Sequence, residues 1–402
     1  MTDTRTALVI GGGIAGPAAA MALQMAGIQP VIYEAHSSSA EGTGVFLTLA
    51  SNGVDALRVL DAAALAVAAG FTTPEISLRS ATGKHLGATR TGTPLADGTT
   101  SQTLKRADLY RILHMEALQR GIRMESGKRL VAAEQDRDGV RAMFADGSEA
   151  VGNLLIGCDG VHSTVRRIID PQAPAPTYLG LLSTGGYASG VAVDSQPGSY
   201  EMIFGKQAFF GYALAPDGDV WWFANLPRPD APVRGELQAI GGDQLRSRLV
   251  ELYAQDAGPA VALIEATPEL LPMTPIHAIP HLPVWHNERM IVIGDAAHAP
   301  SPASGQGASL SIEDAIVLAQ SLRDLPTTQS AFASFEAARR PRVEHIIKWA
   351  ARVSSSKAAG PVARVFRDAL MPTVMKLTAD SRAIRQTFDY HLDWDARTPA
   401  AA

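Results

Sequence analysis

The residues best able to do chemistry in this chain sit in three glycine-rich turns spread along its length. The first is Gly11-Gly12-Gly13-Ile14-Ala15-Gly16, a GxGxxG run. In such a run Gly11 permits a tight turn, Gly13 lets the backbone approach a pyrophosphate, and Gly16 lets a helix pack close to a strand. Ile14 and Ala15 would open that helix, with its N-terminal N–H groups toward the phosphates. Glu34, after the apolar residues 30–33 and beside Ala35, is placed to accept hydrogen bonds from an adenosine ribose. The glycines alone would suit any tight turn; strand context and the acidic residue together point to a dinucleotide.

The second turn is Cys158-Asp159-Gly160-Val161-His162-Ser163-Thr164-Val165-Arg166, in which Asp159 and Ser163 could equally cap a helix. The third runs from Gly294-Asp295-Ala296-Ala297-His298-Ala299-Pro300 through Pro302 to Gly305-Gln306-Gly307. Asp295 ends an apolar strand, where a carboxylate can accept a hydrogen bond from a polyol. Gly305 and Gly307 precede a helix from about Ala308, whose first N–H groups could meet developing negative charge. A capping turn is the plainer reading of the same residues.

The elements that would hold these turns are legible in outline. Residues 6–10 form a short apolar run, 17–27 suit a buried helix and 30–34 a second strand, making a βαβ unit. Helical patterns follow at 52–59 and at 106–120, where Leu109, Ile112, Leu113 and Ala117 share a face. Residues 129–156 alternate like a meander headed by Leu130. From 171 to about 275 strand-like segments dominate, and 289–294 returns to a buried-strand pattern before a helix over 308–322. The first domain is therefore discontinuous. Helical segments continue to about 393, and the terminal TPAAA is expected to fray.

The second turn matches DGxxSxVR and the third the GD signature of the flavin hydroxylases. With Arg106 in its RxxL context, the chain resembles the para-hydroxybenzoate hydroxylase-like, group A flavin monooxygenases over nearly its whole length. That resemblance implies an α/β fold: a Rossmann-like, glutathione-reductase-like FAD-binding domain over 1–75, 101–170 and 277–345, an inserted β-sheet substrate domain over 76–100 and 171–276, and a C-terminal helical segment over 346–393. It implies FAD as cofactor, held by Gly11, Gly13, Ile14, Ala15, Gly16, Glu34, Ala35, Gly44, Val45, Arg106, Leu130, Asp159, Gly294, Asp295, Pro302, Gly305, Gln306, Gly307 and Ala308. Ala35 stands where relatives often carry an arginine. NADH or NADPH would be a transient reductant, and one atom of O2 would pass through a flavin C4a-hydroperoxide to an aromatic or polycyclic small molecule, hydroxylating or epoxidising it. His298 is common at its motif position and reads as structural.

No side chain is assigned as catalytic acid or base, since the flavin would perform the chemistry. Tyr187, Phe204, Phe210, Tyr212, Trp222 and Pro302 are candidates for the substrate pocket, because planar substrates suit apolar walls with few polar handles. The face of the sheet that meets the ligand is left open. A halogenase is disfavoured by the missing WxWxIP run, and a non-catalytic or partner-reduced FAD protein is the alternative.

Composition agrees with an ordinary enzyme. The 402 residues are 46% hydrophobic and 19% charged with a formal net charge of -5, which gives no footprint for nucleic acid. A single cysteine excludes an intrachain disulfide and favours the cytoplasm. The apolar stretch 7–28 is broken by glycines and Pro17 and reads as strand, turn and helix rather than an anchor. Residues 362–377 mix apolar side chains with arginines and suit a closing helix better than membrane contact. Oligomeric state is not readable.

Overall fold

The structure is a computed structural model that describes residues 5–37, 44–355, 361–378 and 382–399. Thr6–Ile10 is buried almost throughout and lies inside a parallel sheet with the strand order Met290–Val292, Leu154–Gly157, Thr6–Ile10, Gln29–Tyr33 and Arg123–Glu125. The crossover helix Ala15–Met25 is rich in alanine because it is sandwiched between this sheet and the helix Gly307–Asp324, and its residues 15–23 are all buried. An antiparallel meander, Leu130–Gln135, Val140–Phe144 and Glu149–Gly152, flanks the sheet. Among the described residues no helix is long and apolar enough to cross a membrane.

A seven-stranded sheet forms the second layer, in the order Thr274–Ala278, Thr177–Ala188, Val220–Pro227, Phe209–Leu214, Tyr200–Phe204, Glu75–Ser80 and His85–Arg90. The hairpin 75–90 thus joins strands more than a hundred residues later in the chain. Helices Gly242–Tyr253 and Ala260–Ala266 cover one face of this sheet. Its other face meets a small sheet of the first domain, ordered Phe46–Leu49, Gln102–Lys105 and Phe71–Thr72.

The helix Thr328–Ser355 runs unbroken across the expected boundary at 345, with Pro341 inside it. Pro361–Thr378 then packs Met371 and Met375 against Leu78, Leu86, Phe204 and Phe209, while Phe366, Leu370 and Val374 are exposed. The side chains at 361–363, 365 and 377, part of the stretch weighed as an anchor, lie outside the described residues. The fraying expected over TPAAA does not hold for its first two residues. Thr398 N–H donates to Asp324 Oδ2 at 2.9 Å and Ser334 Oγ to the Pro399 carbonyl at 2.8 Å, and residues 400–402 lie outside the described residues.

A charge cluster around the fully buried Glu313, Asp314 and Arg339 joins the helices. Arg339 binds Glu313 and Asp314, both at 2.7 Å, and Arg342 binds Glu313 at 2.8 Å. Asn52 donates to Glu313 Oε1 at 2.7 Å, and His298 contacts Asp314 Oδ2 at 2.6 Å. Burial pushes the Asp314 carboxyl up, but His298 and Arg339 outweigh it and hold the group at about 2. Removing one partner leaves a buried charge uncompensated, so Arg339→Met should lower stability by about 3–5 kcal/mol, read from urea denaturation. An unshifted midpoint would show that the cluster is not a mainstay. Because the folded Asp314 value lies below the ordinary 3.8, its contribution is present above that pH and should be lost as pH falls toward 2.

Candidate active site

The GxGxxG turn has the geometry its glycines require. Gly11 adopts φ +105°, and a Cβ there would lie 2.4 Å from the Cys158 carbonyl oxygen; one on Gly16 would lie 1.9 Å from the Gly11 carbonyl oxygen. Gly13 has open space in front of it. No side chain caps the helix Ala15–Met25, so its first N–H groups remain free for phosphate oxygens. Glu34 Oε2 accepts from Gly12 N–H at 2.6 Å and Oε1 from His36 N–H at 2.8 Å, which fixes the half-buried carboxylate against the turn. Ala35 presents only a methyl group beside it. Sequence reasoning missed His114, whose ring meets the Gly12 carbonyl while packing at a tilt against Tyr110; burial lowers its pKa. Leu130 is buried in the core opposite Phe144, so its side chain serves packing.

The second turn caps a helix and also braces the third. Asp159 accepts from Ser163 Oγ at 2.5 Å and from the N–H groups of Thr164 and Val165 at 2.7 and 3.1 Å. Burial raises its pKa against those hydrogen bonds. The buried Arg166 guanidinium donates to the Ala296 carbonyl at 2.9 Å and the Val161 carbonyl at 2.8 Å, tying the DG turn to the GD turn. Cys158, in the same turn, is buried, and burial holds its thiol well above the ordinary range.

In the third turn Gly294, at φ +56°, leaves no room for a Cβ beside Ser311 Oγ, 2.7 Å away, and its N–H donates to Asp314. The half-buried Asp295 carboxyl, raised by burial and lowered by Arg106, accepts no hydrogen bond among the described residues. Gly305 turns left-handed at φ +60° with nothing nearby, and Pro302 beside it is exposed. The helix Gly307–Asp324 starts without a side-chain cap, with Ala308 half-buried. Across the cleft Gly44 lies against the exposed Arg106 side chain, and Arg106 N–H donates to the Val45 carbonyl at 3.1 Å.

These residues fit FAD. Among the described residues the Asp295 carboxylate and the Arg106 guanidinium have no hydrogen-bonding partner, Asp295 lies by Gly307 at the uncapped helix start, and the space at Gly305 is open. The buried Gln306 Nε2 likewise has no partner, because Asn52 Nδ2 donates to its Oε1 at 2.8 Å and turns the amide nitrogen away.

The roof sheet separates the pocket candidates. Tyr187 faces the first domain: its hydroxyl donates to the Val45 carbonyl at 2.8 Å, and burial raises its pKa to about 12. Phe210, Tyr212 and Trp222 face the other way, among the covering helices. Trp222 Nε1 donates to Thr267 Oγ1 at 2.7 Å, Phe210 stacks on Trp222 and meets Tyr253, and the Tyr212 hydroxyl bonds Ser195. Strand alternation puts their neighbours on the facing side instead. Tyr200, Met202, Trp221 and Phe223 meet Val45, Phe46 and Phe71 of the first domain there. Phe204 lies on that same face but under the helix Pro361–Thr378, with Arg367 over its ring. Phe46 had a readable signal: it follows Gly44-Val45 directly.

A family described as an FAD binding domain matches residues 3–350. The chain belongs to the group A flavin hydroxylases. Within that family it is 30% identical to the FAD-dependent urate hydroxylase of Klebsiella pneumoniae, over 85% of this chain and 87% of the relative. It is 29% identical to the aurachin C monooxygenase/isomerase of Stigmatella aurantiaca, over 87% and 88%. The fold matches the crystal structure of Klebsiella pneumoniae HpxO with FAD and uric acid at a TM-score of 0.82 and 26% identity, covering 96% of each chain. This flavin hydroxylase thus binds FAD.

Two substitutions test individual contacts. Asp295→Ala should deplete FAD from purified protein while circular dichroism stays native; full flavin retention would remove Asp295 from the site. Glu34→Ala should weaken FAD binding by ~1–3 kcal/mol, the scale of a hydrogen bond to a charged acceptor, measured by titrating apoprotein.

Proposed function

We propose that this chain is a single-component monooxygenase that uses NADH or NADPH and O2 to insert one oxygen atom into an aromatic or polycyclic small molecule. Names of relatives support the substrate class: urate hydroxylase, 6-hydroxynicotinate 3-monooxygenase and 3-amino-4-hydroxybenzoate 2-monooxygenase. The observation that carries the reading is the aromatic face of the roof sheet, set against Val45 and Phe46 beside the cleft of Asp295 and Arg106. Bound FAD supplies the redox chemistry, accepting a hydride and activating oxygen.

The chain's own residues hold and shield. Gly13 and the uncapped helix Ala15–Met25 receive the pyrophosphate, Glu34 the ribose, and Asp295 the ribitol. The N–H groups opening Gly307–Asp324, together with Gln306, would favour negative charge on a flavin held there. Phe46, Tyr200, Met202 and Phe223 keep water from the reacting centre and press a planar substrate into place. Tyr187, held protonated and bonded to Val45, fixes the loop next to the ring rather than moving a proton. A cytoplasmic setting suits a chain with one protected thiol.

The test is NADH and NADPH oxidation in air by the yellow protein, with and without a panel of hydroxylated and nitrogen-containing aromatics. Consumption that rises with one compound, and a product heavier by one oxygen, are expected. A yellow protein inert to both reductants across the panel would favour a partner-reduced or non-catalytic flavoprotein.

A further inference from the structure

Lys105 stands beside the aromatic cluster between the small sheet and the roof. In the antiparallel pair of Phe46–Leu49 with Gln102–Lys105, it stands directly opposite Phe46, so both side chains leave the same face of the small sheet. Leu104 points the other way and is fully buried in the core. Phe71, opposite Thr103, shares the face of Lys105 and packs on Trp221. The Lys105 ammonium therefore projects toward the roof, 4.9 Å from the ring centre of Tyr187 and 5.2 Å from that of Trp221. Phe46 beside it meets Tyr200, Trp221 and Phe223.

Among the described residues Lys105 makes no salt bridge or side-chain hydrogen bond, and Asp108, whose charge acts on Tyr187, is engaged by Arg111 at 3.0 Å. A second donor beside it is also unmet: among the described residues the buried Trp221 Nε1 has no acceptor. An ammonium and an indole N–H, both without acceptors in an aromatic cluster, are complemented by a group that only accepts.

We propose that Lys105 is a specificity-determining residue that selects aromatic substrates bearing an anionic oxygen, a carboxylate or an equally acidic ring oxygen, with the Trp221 indole N–H as a second donor. The inference rests on the monooxygenase reading for the presence of an aromatic substrate, but not for its outcome. An anion here satisfies two donors that a neutral amide, bringing donors of its own, meets less well. Ring faces of Tyr187 and Trp221 hold the ammonium in place by cation–π attraction while leaving its N–H groups free.

The experiment titrates the FAD-loaded protein with matched acid and amide pairs, 4-hydroxybenzoate against 4-hydroxybenzamide and 6-hydroxynicotinate against its amide, following the flavin visible spectrum and tryptophan fluorescence. The acid should bind at least tenfold more tightly than its amide. Lys105→Met should weaken the acid by tenfold or more, leave the amide and FAD content unchanged and so erase the preference. Lys105→Arg should restore it. Equal binding of acid and amide by the wild type, an acid preference that survives Lys105→Met, or no binding by any acid would overturn the proposal. Preference for acids that depends on Lys105, with no oxygenated product from any of them, would uphold Lys105 and sink the monooxygenase reading instead.

Discussion

A buried pair of carboxylates, Glu313 and Asp314, is the constraint on which the flavin end of the molecule depends. Two acids side by side in a core are untenable unless cations answer them, and the chain brings Arg339 and Arg342 from a helix that follows in sequence. Once charged, the pair organises what surrounds it. Asp314 takes the Gly294 N–H and the His298 ring, fixing the GD turn, while Glu313 orients Asn52, which in turn orients Gln306. The orientation of the Gln306 amide is thus set through Asn52 by the ion pairs behind it. His298 belongs to this scaffold and not to the chemistry.

The two sides of the active cleft are built by different physics. The nucleotide side relies on main-chain geometry: left-handed glycines, missing Cβ atoms and uncapped helix starts, with few side chains doing more than bracing. Arg166 is the brace that makes the DG and GD turns one unit. The roof relies on rings, and its two faces are both apolar, one filled by helices of its own domain and one turned to the first domain.

That difference decides what could be read from the sequence. Glycine turns are legible because steric demand restricts residue type, so Gly11, Gly16 and Gly294 announce their places. Residues 209–214 carry no such signal: all six are buried, hydrophobic positions do not alternate with polar ones, and parity cannot be assigned. Phe210, Tyr212 and Trp222 lie on the face covered by the helices of their own domain, whereas Tyr187 lies on the face turned to the first domain. Lys105 and His114 were invisible because their partners, aromatic faces and a glycine carbonyl, lie far away in the chain. The anchoring of 398–399 was hidden for a related reason, since main-chain groups make the ties at Thr398 and Pro399.

Cys158 carries a consequence for endurance. Its carbonyl abuts Gly11 and its thiol is enclosed and held protonated. Peroxide attacks thiolates, and the sulfenic acid it forms would need space and charge that this turn lacks. A flavoprotein that mishandles oxygen releases peroxide beside its own cofactor. Here the sole thiol is buried behind the first glycine turn, so peroxide released beside the cofactor would meet no exposed thiolate of this chain.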